Sequence, residues 1–83
     1  MIFMDKIKKA LRKLSQKERN RTKEVLKKIN QAETRSLDLK KLKGYSDIFR
    51  VRKGDLRIIY RQTGKQIFIL RIERRKEKTY KEF

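Results

Sequence analysis

The 83-residue chain contains no cysteine, histidine, tryptophan or proline. Without cysteine there are no disulfides and no thiolate nucleophile; without histidine there is no imidazole base, and the commonest zinc sites lose both of their ligand types. A reactive centre in this chain has to use Arg, Lys, Tyr or carboxylates, and neither a metal nor a small-molecule cofactor is expected. Long hydrophobic runs are lacking as well. No stretch approaches the roughly 18 apolar residues of a membrane span, and the start MIFMDKIKKALRK has no signal-peptide core. The expected location is therefore the cytoplasm, away from membranes. The length suits one small domain over residues 1–83 with a modest core.

Carboxylates are scarce too: 27 Lys and Arg stand against 10 Asp and Glu, a net charge of +17. The excess is spread along the chain, +10 up to Gly44 and +7 after it. Basicity on that scale points first to phosphate-bearing partners, since clustered Lys and Arg release counterions on binding nucleic acid. An anionic membrane surface or an acidic protein would answer the same charge.

Apolar periodicity argues for a folded chain despite the charge. Ile7, Ala10, Leu11 and Leu14 recur at i, i+3, i+4 and i+7, which predicts an amphipathic helix stopping near Leu14. Ser15 followed by Glu18 is a capping-box pattern. It opens a second helix carried by Thr22, Val25, Leu26, Ile29 and Ala32. So short a connection makes the pair an antiparallel helical hairpin. The pattern loosens over residues 31–39, and strands follow at about residues 47–52, 56–62 and 66–72. QIFILRI, the last of them, is apolar on both faces, as a centrally placed strand should be. Met1 to Met4 read either as a very short edge strand or as the first turn of the helix. The expected fold is α+β: an N-terminal antiparallel helical hairpin packed on a three- to four-stranded antiparallel sheet, with a short basic C-terminal segment, ERRKEKTYKEF.

The stretch FRVRKGDLRIIYR, residues 49–61, carries the functional signal. Side chains alternate across a strand, so Arg50 and Arg52 share one face and Phe49 and Val51 the other. Past a turn at Lys53, Gly54 and Asp55, Leu56, Ile58 and Tyr60 form one row and Arg57, Ile59 and Arg61 the next. An even-membered loop pairs Val51 with Leu56 or Ile58 and sets Arg57 opposite Arg50 or Arg52. Like charges directly opposite disfavour a sheet, and an arriving anion would relieve them; a solvated basic face is the plainer alternative. If the second turn, at Thr63 and Gly64, is also even-membered, Tyr60 pairs with Ile67 and Ile58 with Ile69. Tyr60 then belongs to the core.

Two amphipathic helices followed by an antiparallel meander and a basic tail containing Tyr resemble the RelE/ParE superfamily of toxins from toxin–antitoxin pairs. The residues that carry the likeness are LKGYSDIFRVRKGDLRIIYR (42–61) and IFILRIERRKEKTY (67–80), and it covers nearly the whole chain. In that superfamily the RelE branch cuts messenger RNA on the ribosome and the ParE branch poisons DNA gyrase. For this chain the resemblance implies a metal-independent endoribonuclease acting on messenger RNA at the ribosome. Its catalytic groups would be Arg50, Arg52, Arg57, Arg75 and Tyr80, with Arg74 competing for the place of Arg75. Further RNA contacts are expected from Lys41, Lys43, Lys53, Arg61 and Arg74. The implied protein partner is an acidic, RelB-like antitoxin, partly disordered alone and folding over the basic faces. The chain departs from the family pattern in its brief opening strand and in lacking the His that several relatives carry near the last strand. A topoisomerase-directed toxin of the ParE type and a non-catalytic nucleic-acid-binding module are the competing expectations.

Overall fold

A computed structural model describes residues 2–74; Arg75 and Tyr80 lie outside the described residues. The chain runs β1 (Ile2–Phe3), α1 (Asp5–Arg12), α2 (Gln16–Asn30), β2 (Asp38–Lys41), β3 (Ile48–Lys53), β4 (Leu56–Thr63) and β5 (Gln66–Arg74). The class is α+β as expected, but the sheet has five strands in the order β1-β5-β4-β3-β2 rather than three or four. Beyond the three strands of the meander stand the two edges, the brief β1 that Met1 to Met4 allowed and β2, which was not anticipated. β1 pairs parallel with β5 through Ile2 and Phe3, and β2 pairs antiparallel with β3 through residues 38–41. β5 is thereby an interior strand, which accounts for its two apolar faces.

One face of the sheet and the two helices share the core. Ile7, Leu14, Val25 and Ile29 from the helical segment pack with Val51, Leu56, Ile58, Tyr60, Ile67, Ile69 and Ile72. The β3–β4 turn is the tight one expected. Val51 pairs with Ile58 and Arg52 with Arg57, leaving Gly54 and Asp55 as a two-residue loop. Gly54 has φ +59, which favours glycine at this turn position; a side chain there would also displace the tip of Arg21, 2.9 Å away, a shift that a flexible guanidinium can make.

The β4–β5 register departs from expectation. Both strands run on to a two-residue turn at Gly64 and Lys65, so Tyr60 pairs with Ile69 and not with Ile67. A bulge then intervenes: Ile59 pairs with Arg71 while Tyr60 pairs with Ile69, leaving Leu70 as the extra residue, and Ile58 reaches Ile72 in place of Ile69. An inserted residue reverses the alternation beyond it. The bulge thus keeps Ile72 in the core and sends Arg71 and Glu73 to the opposite face.

The capping box forms as the sequence indicates. Ser15 Oγ accepts from the Glu18 N–H at 3.1 Å, and Glu18 Oε1 accepts from the Ser15 N–H at 2.9 Å. Arg74 docks on the same corner, donating to Glu18 Oε1 and to the Lys13 carbonyl, each at 3.0 Å. It ties the end of β5 to the junction of the helices. The Ser15 N–H holds the Glu18 carboxyl below the usual carboxylate range; burial opposes this and Arg74 reinforces it. A carboxyl depressed in the folded state contributes stability above its unfolded pKa, about 4.3, that is lost as pH falls through the folded value. The unfolding temperature of the wild type should therefore drop more steeply below about pH 4.5 than that of Glu18→Gln. Parallel pH profiles for the two proteins would remove Glu18 from the acid response.

At its other end α2 stops before Ala32, which the periodicity had placed inside the helix. The Glu33 N–H bonds the Lys28 carbonyl at 2.8 Å and the Ala32 N–H bonds the Ile29 carbonyl at 3.1 Å. This is a Schellman cap with Ala32 in the left-handed position, φ 60. A Cβ there costs roughly 1–2 kcal/mol, against which glycine's greater unfolded-state freedom must be set. Ala32→Gly is accordingly expected to raise stability by about 0.5–1 kcal/mol, read as a higher urea midpoint at unchanged slope. A lower midpoint would show that the cap is not strained.

Candidate nucleic-acid interface

The sheet face away from the core carries two rows of charge, each crossing four strands. Asp38, Arg52, Arg57 and Glu73 stand in register as the first row. Its cations oppose each other directly, as expected, but a carboxylate flanks them at either end. Arg57 Nε donates to Glu73 Oε1 at 3.0 Å, and Arg71 Nε lies 3.4 Å from Glu73 Oε2. Lys40, Arg50, Ile59 and Arg71 form the second row, which contains no carboxylate. The uncompensated positive charge of the face is concentrated there.

Arg50 is the unusual member. It is only 9 % exposed, yet no described residue accepts a hydrogen bond from its guanidinium or pairs with it. A buried charge without a partner is costly, and a phosphate seated over the second row would supply one. Arginine's planar fork suits two phosphate oxygens at once. Arg61, one row further along, is engaged by Asp47 Oδ2 at 3.1 Å. That pair, with the Gln62 N–H to Asp47 carbonyl bond at 2.9 Å, ties the β2–β3 connection to β4.

The comparisons with known proteins agree with this architecture. A family model for the ParE toxin of type II toxin–antitoxin systems, parDE, matches residues 2–79. The chain belongs to that family. Among solved structures this toxin is similar to a chain of the RelB–RelE antitoxin–toxin complex from Methanococcus jannaschii. The identity is 27% and the TM-score 0.77, over 90% of this chain and 91% of that one. It is likewise similar to a chain of the archaeal RelE–RelB complex from Pyrococcus horikoshii OT3, at 31% identity and TM-score 0.70, over 88% and 90% of the two chains. No curated protein sequence matches. The RelE/ParE resemblance is thus confirmed at the level of family and fold.

Within the toxin, the anticipated site residues divide between the two faces. Arg50, Arg52, Arg57 and Arg61 share the face away from the helices, in the arrangement strand alternation implies. Lys53 pairs with Leu56, and Arg74 pairs with Leu56 from the other side, so both belong to the core-facing side. Arg74 is spent on Glu18 and the Lys13 carbonyl. Lys41 also lies on that side, its Nζ 6.0 Å from the Phe49 ring centroid. Lys43 is exposed in the connection after β2. Tyr60 is a core residue as expected, 2 % exposed and stacked on Phe49 with centroids 5.4 Å apart; burial raises its phenol pKa. Two residues, Arg71 and Glu73, were missed, because placing them on this face required the bulge.

Proposed function

We propose that this toxin is a ribosome-dependent messenger RNA endonuclease of the RelE type, held inactive by an acidic antitoxin. The single observation that carries the reading is the second row, where Arg50, buried and without a partner among the described residues, stands between Lys40 and Ile59 with Arg71 beyond. In the proposed reaction the 2′-oxygen attacks the adjacent phosphorus as the bond to the 5′-oxygen breaks. One proton leaves the 2′-hydroxyl and another reaches the 5′-oxygen. Negative charge accumulates on the phosphorane-like transition state, and Arg50, Arg52 and Arg57 are the donors aimed at it. Arg57 is held in place by Glu73 meanwhile. The resemblance of residues 67–80 supports Arg75 and Tyr80 as leaving-group stabiliser and base. Neighbouring cations would have to lower the phenol's pKa from about 10 for that role. Tyr80→Phe should slow single-turnover cleavage by about 10²-fold while RNA binding stays nearly intact. An unchanged rate would remove Tyr80 from the chemistry.

The antitoxin reading is supported by the two similar structures, both of them complexes of toxin with antitoxin. A partner rich in Asp and Glu would neutralise a chain of net charge +17. The family's description as ParE favours a second reading, a toxin directed at DNA gyrase. Expression of the toxin alone separates the two. Pulse labelling should show protein synthesis stopping within minutes without induction of a DNA-damage response, and coexpression of the antitoxin should restore it. Damage signalling with translation intact would move the assignment to the topoisomerase.

A further inference from the structure

Beside the second charge row lies an open cleft of about 290 Å³, at the small end of ligand-sized cavities. Ile48, Ile59 and the bulged Leu70 line it from the sheet, with Leu42 and Tyr45 from the β2–β3 connection. Among the described residues Lys6 and Arg71 are the only charged groups in its lining, and both are cations. We propose that this cleft is a nucleobase subsite for single-stranded RNA, holding the base of a nucleotide whose phosphate lies on the Lys40–Arg50–Arg71 row. The proposal rests on the endoribonuclease reading and names where that substrate's base goes.

Tyr45 is the main observation. Tyr45 is 54 % exposed whereas Tyr60 is 2 % exposed, so it does little for the core. Among the described residues it stacks on no other aromatic. Yet it is held in place. The Tyr45 N–H bonds the Leu42 carbonyl at 3.2 Å, and the Leu42 N–H bonds the Ile48 carbonyl at 2.9 Å. Gly44, with φ 88, sits at the third position of this turn, where a positive φ is required. The backbone that carries the ring is therefore fixed, which lowers the entropic cost of presenting it as a stacking platform.

Charge selects the occupant. A mostly apolar cleft with cations at its rim and no carboxylate among its described lining residues suits a flat aromatic ring carried by an anionic backbone. Ile59 belongs to both the cleft and the charge row, directly opposite Arg50. Cross-strand neighbours of this kind are about 5 Å apart, so one nucleotide reaches both features. Stacking of a base on an aromatic ring is worth about 1–3 kcal/mol and tolerates any base, a property suited to contact without sequence choice.

The test uses fluorescein-labelled RNA hexanucleotides, 2′-O-methylated to block attack by the 2′-hydroxyl, one intact and the others abasic at a single position in turn. All carry the same backbone charge. Binding to the full chain is read by anisotropy at low salt. At one position loss of the base should weaken binding about 5- to 100-fold. Tyr45→Ala should erase that difference and Tyr45→Phe should keep it, with the affinity for the abasic oligonucleotide unchanged in both, which also reports that the variants are folded. A difference that survives in Tyr45→Ala, or no difference at any position, would overturn the subsite and leave the cleft to a side chain of a protein partner. If no hexanucleotide binds at all, the subsite falls, and the ribosome-dependent reading is judged separately by messenger cleavage in the presence of ribosomes.

Discussion

Arg50→Met should slow messenger cleavage by about 10²–10³-fold, the usual cost of one preorganised donor at a developing oxyanion, without lowering the stability of the fold. The two halves of that expectation belong together. A structural arginine, bonded to carbonyls or paired with a carboxylate, leaves orphaned partners when it is removed and destabilises the protein by several kcal/mol. Arg50 is 9 % exposed with no acceptor among the described residues. Methionine retains most of the apolar stem while removing an unpaired charge from a desolvated position. The unfolding temperature of Arg50→Met should equal or exceed that of the wild type. A loss of stability large enough to account for the lost activity would show that Arg50 is a structural residue.

Leu56→Ala gives the opposite signature. Leu56 is fully buried at the start of β4, between Lys53 on β3 and Arg74 on β5. Truncating a buried leucine costs about 2–5 kcal/mol, the transfer free energy of the lost groups plus the cavity left behind. A domain of this size has about 4–12 kcal/mol in total, from roughly 0.05–0.15 kcal/mol per residue. Much of the toxin should unfold at growth temperature, with loss of toxicity following the loss of folded protein. Urea denaturation measures it: the midpoint should fall sharply in Leu56→Ala and hold in Arg50→Met. A stable, inactive Leu56→Ala would instead imply that the sheet's core face takes part in function.

What could be read from the residues depended on how strongly each element marks itself. Ser15 and Glu18 are a local chemical pair whose geometry follows from spacing alone, and the capping box formed as indicated. The β3–β4 hairpin was legible because Gly54 fixes the turn and the apolar row Leu56, Ile58, Tyr60 fixes which side faces inward. That placed Arg50, Arg52, Arg57 and Arg61 together. The bulge at Leu70 bears no such mark, since QIFILRI is apolar at nearly every position and either register would bury something. Arg71 and Glu73 changed faces with it. β2 escaped notice because DLKK offers a single inward apolar residue, Leu39, and β1 stayed one of two readings of Met1 to Met4 because two residues have no period. Arg74 illustrates a different gap: composition shows a cation but not that Glu18, 56 residues earlier in the chain, already holds it.

The most direct measurement adds the purified toxin to a reconstituted translation reaction and maps messenger 5′ ends by primer extension, with and without ribosomes. Discrete new ends within the coding sequence, present only with ribosomes and absent with Arg50→Met, are the expected result. Intact messenger with undiminished protein output would contradict an endonuclease acting through the Arg50 row and return the toxin to the gyrase-directed branch of its family.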